Sequence, residues 1–313
     1  MKPSSLVGHE LTSGLRFPEG PAMLADGRVL CVEMEAGNLT AVHTDGRKVV
    51  VAHLGGGPNG VAIGPDGHAY VCNNGGLTFQ TFAGGYLRPV GGAPGHPDGW
   101  IERVNLATGR VERLYDHCNG RPLRGPNDIV FDRHGGFWFT DLGGVHEREI
   151  LRGSVYYAKA DGSMLCEAIF PIFMPNGVGL SPDGSTLYVS ETDTCRLWAY
   201  TITAPGEVAR EPWPSPNGGR LICGLPGYAR FDSLAVEANG NICVATLVRG
   251  GIAVIAPNGS GSEFLEAPEP YCTNICFGGD DMCTAYITLS GTGKILAVPW
   301  PRPGLRLAFQ SAP

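Results

Sequence analysis

A short apolar strand, a turn holding Gly beside Asp, Asn or His, and a second apolar strand recur along this chain. The clearest copies are "PNGVAIGPDGHAYVCNN" from Pro58, "PNDIVFDRHGGFWFTDL" from Pro126 and "PNGVGLSPDGSTLYVSE" from Pro175. Apolar residues alternating at period 2 on both sides of such a turn predict a β-hairpin. Fainter copies are "PEGPAMLADGRVLCVEM" from Pro18, "FDSLAVEANGNICVATL" from Phe231 and "TNICFGGDDMCTAYITL" from Thr273. The intervals between starts, 40, 68, 49, 56 and 42 residues, bracket the length of one four-stranded propeller blade. Six such units in 313 residues predict an all-β fold, a six-bladed β-propeller forming one domain over 1–313. The segment "KILAVPWPRPG" at 294–304 falls in the last blade, with a terminal strand closing the ring.

Composition agrees. There are 47 Gly and 25 Pro, charged residues make up only 17%, and no amphipathic helical run is present. The formal net charge of -7 argues against a nucleic-acid surface and against binding to an anionic membrane. No apolar run approaches the roughly 18 residues of a membrane span, and residues 1–13 have no apolar core that would make a secretory signal. Ten cysteines are scattered without a C-x-x-C pair, several inside apolar strands, which points to reduced, buried thiols and a reducing cytoplasm.

In a propeller the innermost strand of every blade lines a central channel, so the residue at its start lies near the channel mouth. Here those residues are Glu19, Asn59, Asn127, Asn176, Asp232 and Asn274. Asn and Asp also start strands simply as turn residues, but six oxygen-bearing side chains around one axis form a ring of candidate ligands. Oxygen donors with two carboxylates suit a hard divalent cation, Ca²⁺ first and Mg²⁺ or Mn²⁺ after it. Zn²⁺ is less suited, since His9, His43, His53, His68, His96, His117, His134 and His146 all miss the anchor positions.

The motifs "FPEGP" (17–21), "GPNDIVFDRHGGFWFTD" (125–141), "PNGVGLSPDGSTLYVS" (175–190), "FDSLAVEANGNICVAT" (231–246) and "CFGGDDMCTAYIT" (276–288) resemble the gluconolactonase, regucalcin and senescence-marker-protein family. Diisopropyl fluorophosphatases and drug-responsive bacterial lactonases look like relatives. The resemblance implies a six-bladed propeller with a catalytic divalent cation in its channel, opening the ring of a sugar lactone or a more apolar lactone. Carried over by motif, it implies Glu19, Asn176 and Asp232 as metal ligands, with Asn127 at the metal or the substrate. It also makes Asp232 the proton acceptor. Three departures bear on the substrate. Arg124 stands three positions before Asn127 rather than beside it, "FDS" replaces "PDG" in the fifth unit, and Glu191 follows "YVS".

Other residues complete the list of candidates. Asn59, Arg124 and Asn274 are candidate substrate contacts, with Phe79 and Tyr86 from the long interval at 73–100. That interval, which also holds Phe82 and Trp100, reads either as a lid over the channel mouth or as a plain surface loop. Asp128 either supports the metal ligands or faces away from them, as alternation in a strand already begun would have it. His117, His134 and His146 read as surface residues, and the absence of G-x-S-x-G argues against a serine hydrolase. Three rival readings stand beside the lactonase. They are a phosphotriesterase-like hydrolase, other metal-assisted carbonyl chemistry, and a non-catalytic Ca²⁺-binding propeller.

Overall fold

The computed structural model describes residues 4–95, 98–145 and 147–310. His96 and His146 lie outside them. Regular structure among the described residues is all β. Six sheets, antiparallel except where Ser4–Ser5 runs parallel to Ser262–Glu266 at the outer edge of the fifth, follow one another along the chain, and their innermost strands are Pro18–Met23, Pro58–Ile63, Pro126–Phe131, Pro175–Leu180, Arg230–Val236 and Cys272–Gly278. Each inner strand packs beside the next, and the sixth returns to the first, so the six sheets are the blades of a closed propeller.

Each blade is held by its own hairpins and by its neighbours. In the third blade Pro126–Phe131 pairs with Gly136–Asp141, which pairs with Gly153–Lys159, then Leu165–Ile172. The second strand has sheet neighbours on both edges and blades on both faces, which is why "GFWFTD" is buried at every position. Apolar side chains meet between blades. Tyr70 and Ile101 of the second blade pack with Phe137 and Phe139 of the third. On the other face of the third blade, Trp138 and Tyr157 pack with Val189 and Trp198 of the fourth. Burying an aromatic ring of this kind typically contributes about 3 kcal/mol or more.

Ring closure comes from the N-terminal side. His9–Thr12 pairs antiparallel with Lys294–Pro299 as the outermost strand of the sixth blade. The segment at 294–304 therefore supplies that blade's third strand and then leaves it. Residues 305–310 cross the lower end of the channel, where Phe309 meets Phe131 edge-on at 5.7 Å and the Gln310 amide donates to Phe277 O at 2.8 Å. Between this tail and Asp128 lies a cavity of about 80 Å³ lined by inner-strand side chains, among them Val61, Ile129, Val178, Leu234 and Ile275. The channel is thus apolar below and stopped at its floor.

Candidate active site

Every inner strand begins with a break in register. Pro126 pairs with Asp141 and Ile129 with Phe139, so Asn127 and Asp128 stand together opposite Thr140. Asn176 with Gly177 stand likewise opposite Ser190, and Asp232 with Ser233 opposite Ala245. A β-bulge of this kind frees backbone amides and re-aims side chains. The freed amides find hydroxyls. Asp128 N donates to Thr140 Oγ1 at 3.1 Å and Gly177 N to Ser190 Oγ at 2.8 Å. Those hydroxyls in turn donate to the next blade, Thr140 to Asn176 O at 2.5 Å and Ser190 to Asp232 O at 2.6 Å. Thr140 and Ser190 therefore set the position of one anchor relative to the next.

The glycines that follow Glu19, Asn59 and Asn176 lie against the neighbouring inner strand. A Cβ on Gly60 would stand 2.5 Å from Asn127 O, and one on Gly177 would stand 2.8 Å from Ser233 Cα. This close approach explains the Gly of both "PNG" motifs. It also draws the six anchors inward, and all six are buried.

Hydrogen bonds orient the anchor side chains. Asn176 Nδ2 donates to Thr192 Oγ1 at 3.1 Å, while Asn176 Oδ1 accepts from Ser233 Oγ at 3.3 Å. Asp232 Oδ1 accepts from Ser233 N at 3.1 Å, and Asn274 Oδ1 from Ile275 N at 2.8 Å. Asn127 Oδ1 is buried and has no hydrogen-bond partner among the described residues. A buried carboxamide oxygen left bare costs about 1–3 kcal/mol.

Asp128 is the residue that strand alternation misplaces. The bulge keeps it on the channel side, where Asp128 Oδ2 accepts from Val178 N of the next blade at 3.1 Å and Oδ1 from Ile129 N at 3.0 Å. Three buried carboxyls then share one low-dielectric space. Burial, followed by the charges of Asp232 and Asp128, pushes Glu19 well above the ordinary carboxylate range. Burial, with the Asp128 charge added, raises Asp232 to about 8 against the lowering effects of Asn176 and Ser233 N. Burial raises Asp128 to about 7, opposed by the amides of Val178 and Ile129 and by Ser233. No basic side chain figures among the causes of these shifts. Uncompensated carboxyls of this sort are held apart in pKa from solvent-exposed ones, as buried acids are at reactive sites.

The donor set fits a hard divalent cation. Its donors are carboxyl and carboxamide oxygens, and the bare Asn127 Oδ1 is the atom such an ion would satisfy. The carboxyls do not suffice alone. Among the described residues no three His, Cys, Asp or Glu side chains group as a metal site, so an ion here would draw on carboxamides such as those of Asn127 and Asn176 as well.

The remaining candidates are placed as follows. Asn59 is buried in the ring and its carboxamide makes no hydrogen bond to the described residues. Arg124 stands on the loop before the third inner strand. Its backbone N donates to Asp141 Oδ2 at 2.8 Å, and its half-exposed guanidinium pairs with Asp98. The insert of the second blade forms a hairpin, Leu77–Thr81 with Leu87–Gly92, that reaches two other blades. Phe79 packs on Phe17 at 5.2 Å, Tyr86 on Tyr271 at 5.8 Å, and Leu87 N donates to Gly291 O at 2.8 Å. Phe82 lies under the Arg88 guanidinium at 3.7 Å. Trp100 is not part of this hairpin. It is buried at the start of a blade strand, with Nε1 donating to Glu102 at 3.0 Å. His117 is exposed beside Asp116, and His134 sits in the turn at the far end of the third blade. All ten cysteines are unpaired. Glu191 accepts from Phe173 N at 3.1 Å and so pins the loop before Asn176.

A model of the SMP-30/Gluconolactonase/LRE-like region matches residues 17–291. The chain belongs to this family. Its match begins two residues before Glu19 and takes in all six anchors. The gluconolactonase of Zymomonas mobilis is 25% identical over 297 residues, which cover 86% of this chain and 75% of that protein. Lactonase drp35 of Staphylococcus saprophyticus is 28% identical over 245 residues, covering 77% of this chain and 67% of the relative. Among solved structures, the calcium-binding protein regucalcin of Agrobacterium tumefaciens has a TM-score of 0.73 at 20% identity, covering 98% of this chain and 100% of that one. At that identity the likeness bears on the fold, and it agrees with the six-bladed ring.

Proposed function

We propose that this chain is a metal-dependent lactonase whose site is the anchor ring at the channel mouth. The observation that carries the reading is the bare Asn127 Oδ1 set among three buried carboxyls without a cationic side chain. The lactonase names of the relatives support the reaction class. Glu19, Asn127, Asn176 and Asp232 would hold the ion, with Ca²⁺ the best match to all-oxygen donors. A bound divalent cation polarises an ester carbonyl and lowers the pKa of nearby water.

The chain's own groups do the rest. Asp232 Oδ1 is tied to Ser233 N, which leaves Oδ2 to accept a proton from the attacking water. The new C–O bond forms at the lactone carbonyl, the ring C–O bond breaks, and the proton taken up by Asp232 passes to the ring oxygen, which leaves as a hydroxyl. Asn59 and Asn274 hold the substrate's polar atoms. Asp128 anchors the fourth inner strand through Val178 N and adds negative charge beside Glu19 and Asp232. The tail at 305–310 closes the channel floor, so water and substrate reach the ring from the mouth. Unpaired cysteines fit a reducing cytoplasm.

The test is the metal-stripped protein re-supplied with Ca²⁺, Mg²⁺, Mn²⁺ or Zn²⁺ and followed by acid release from a lactone panel. Turnover that depends on the added ion is expected. Turnover of phosphotriesters alone, or of nothing with any ion, would overturn the reading.

A further inference from the structure

Blade connections that leave at the start of the inner strands surround the mouth, and they combine paired charges with exposed apolar side chains. Three basic residues stand two or three positions before an anchor. Arg16 is paired with Glu35 at 2.6 Å, Arg230 with Asp193 at 2.6 Å, and Arg124 with Asp98. Each is thus matched by an acid on a neighbouring loop. Large apolar residues stand in two of these approaches to the ring. Phe17 and Met174 each stand two residues before an anchor, Glu19 and Asn176, and each has a positive φ, 58° and 46°. A bulky side chain held in the left-handed region is strained, and such strain gathers at functional sites. Phe17 is buried with Met34 and Leu87 under Phe79, so it roots the insert hairpin at the mouth.

Exposed apolar side chains continue outward from there. After Asp141 a second short hairpin, Gly144–Val145 with Ile150–Leu151, pairs Val145 with Ile150. Val145 is 64% exposed, Ile150 49% and Leu151 39%. Tyr228, on the loop before Asp232, is 75% exposed. Across the mouth stands the insert hairpin with Phe79 and Tyr86, docked on the first and sixth blades.

We propose that the lactone taken by this site carries an apolar arm, an alkyl or aryl substituent lying between the Val145–Ile150 pair and the insert hairpin. The inference rests on the lactonase reading above and names its substrate class. A polyhydroxylated ring would bury hydroxyls against the apolar side chains of the two hairpins without partners, which is the costly case. An alkyl arm gains by the same burial.

The experiment measures kcat/KM with the Ca²⁺-loaded protein for five-membered lactones of increasing alkyl length, beside a polyhydroxylated lactone of the same ring size. Each methylene that becomes buried is expected to raise kcat/KM by up to about fourfold, and the polyhydroxylated lactone is expected to fall below the unsubstituted one. The exposed double variant Val145→Ser with Ile150→Ser should flatten the chain-length series, the unsubstituted lactone serving as reference in the same preparation. Turnover with a flat series, or with the polyhydroxylated lactone preferred, overturns the inference and leaves the lactonase reading standing. Absence of turnover for every lactone overturns the lactonase reading and the inference with it.

Discussion

Replacing Asp232 by Asn removes a buried ionisable carboxyl while keeping a side chain of the same size, and the metal-free protein should become more stable at neutral pH. The native Asp232 carboxyl sits at about 8 against an ordinary 3.8, for reasons of burial first and of the Asp128 charge second. A folded-state pKa above the unfolded one means that the native state binds more protons between those two values. Stability is therefore full below about pH 4, is lost as pH rises through the window, and levels off above pH 8. At pH 7 the penalty is about 1.36 kcal/mol for each of roughly three pH units, or about 4 kcal/mol. Asn, which never ionises, escapes it. In chelator, Asp232→Asn should match the parent near pH 4 and exceed it increasingly up to pH 8. With about 2–4 °C per kcal/mol for large domains, the gain in Tm at pH 7 is on the order of 10 °C. Urea midpoints at the same pH values check the sign where heating is irreversible. Saturating Ca²⁺ should reverse the order, since the parent then gains a charged ligand that the variant lacks. A variant less stable than the parent in chelator at pH 7, or a difference that does not change with pH, would refute the picture of uncompensated carboxyls.

Three further outcomes test separate parts of the site. With saturating Ca²⁺, Asp232→Asn should lose about 10²–10⁴-fold in kcat, far more than the charge-matched Glu19→Gln. Equal losses in steady-state assays would remove Asp232 as proton acceptor. Thr192→Val frees Asn176 Nδ2 from its 3.1 Å partner and should weaken Ca²⁺ binding about fivefold, the worth of one hydrogen bond. Calorimetry showing unchanged affinity would mean that Thr192 does not orient the ligand. Replacing residues 77–92 by a short turn should alter the ranking of substrates while cation affinity stays within about twofold. An unchanged ranking in a folded variant would show that the hairpin plays no part in binding.

The six strand–turn–strand units and their anchors were legible in the sequence because both signals are local. Side chains alternate at period 2 within a few residues, and Pro-Asp-Gly or His-Gly makes its turn without outside help. The anchor positions followed from the repeat, since whatever holds for the start of one inner strand holds for all six. Buried Cys31, Cys72 and Cys243, each in an apolar run, were equally readable as small hydrophobes.

What only the tertiary structure decided depends on pairing between segments far apart in the chain. Alternation counted from Asn127 sends Asp128 away from the channel. The register between Pro126–Phe131 and Gly136–Asp141 slips at that point and brings it back. The slipped residues pack closely against Gly60 of a neighbouring blade, a contact that no single stretch of the chain announces. The landing place of the insert is of the same kind: "GGLTFQTF" shows only that aromatics stand in a long interval, while Phe17, Tyr271 and Gly291, on which it docks, come from the first and sixth blades. Ring closure by His9–Thr12 joins residues nearly the whole chain apart. The chain by itself therefore determined the repeating hairpins and the oxygen-bearing ring, which short-range geometry dictates. The register, the shared burial that raises three carboxyls together and the walls of the mouth arise only when the blades pack, because each is a property of contacts between elements rather than of any one of them.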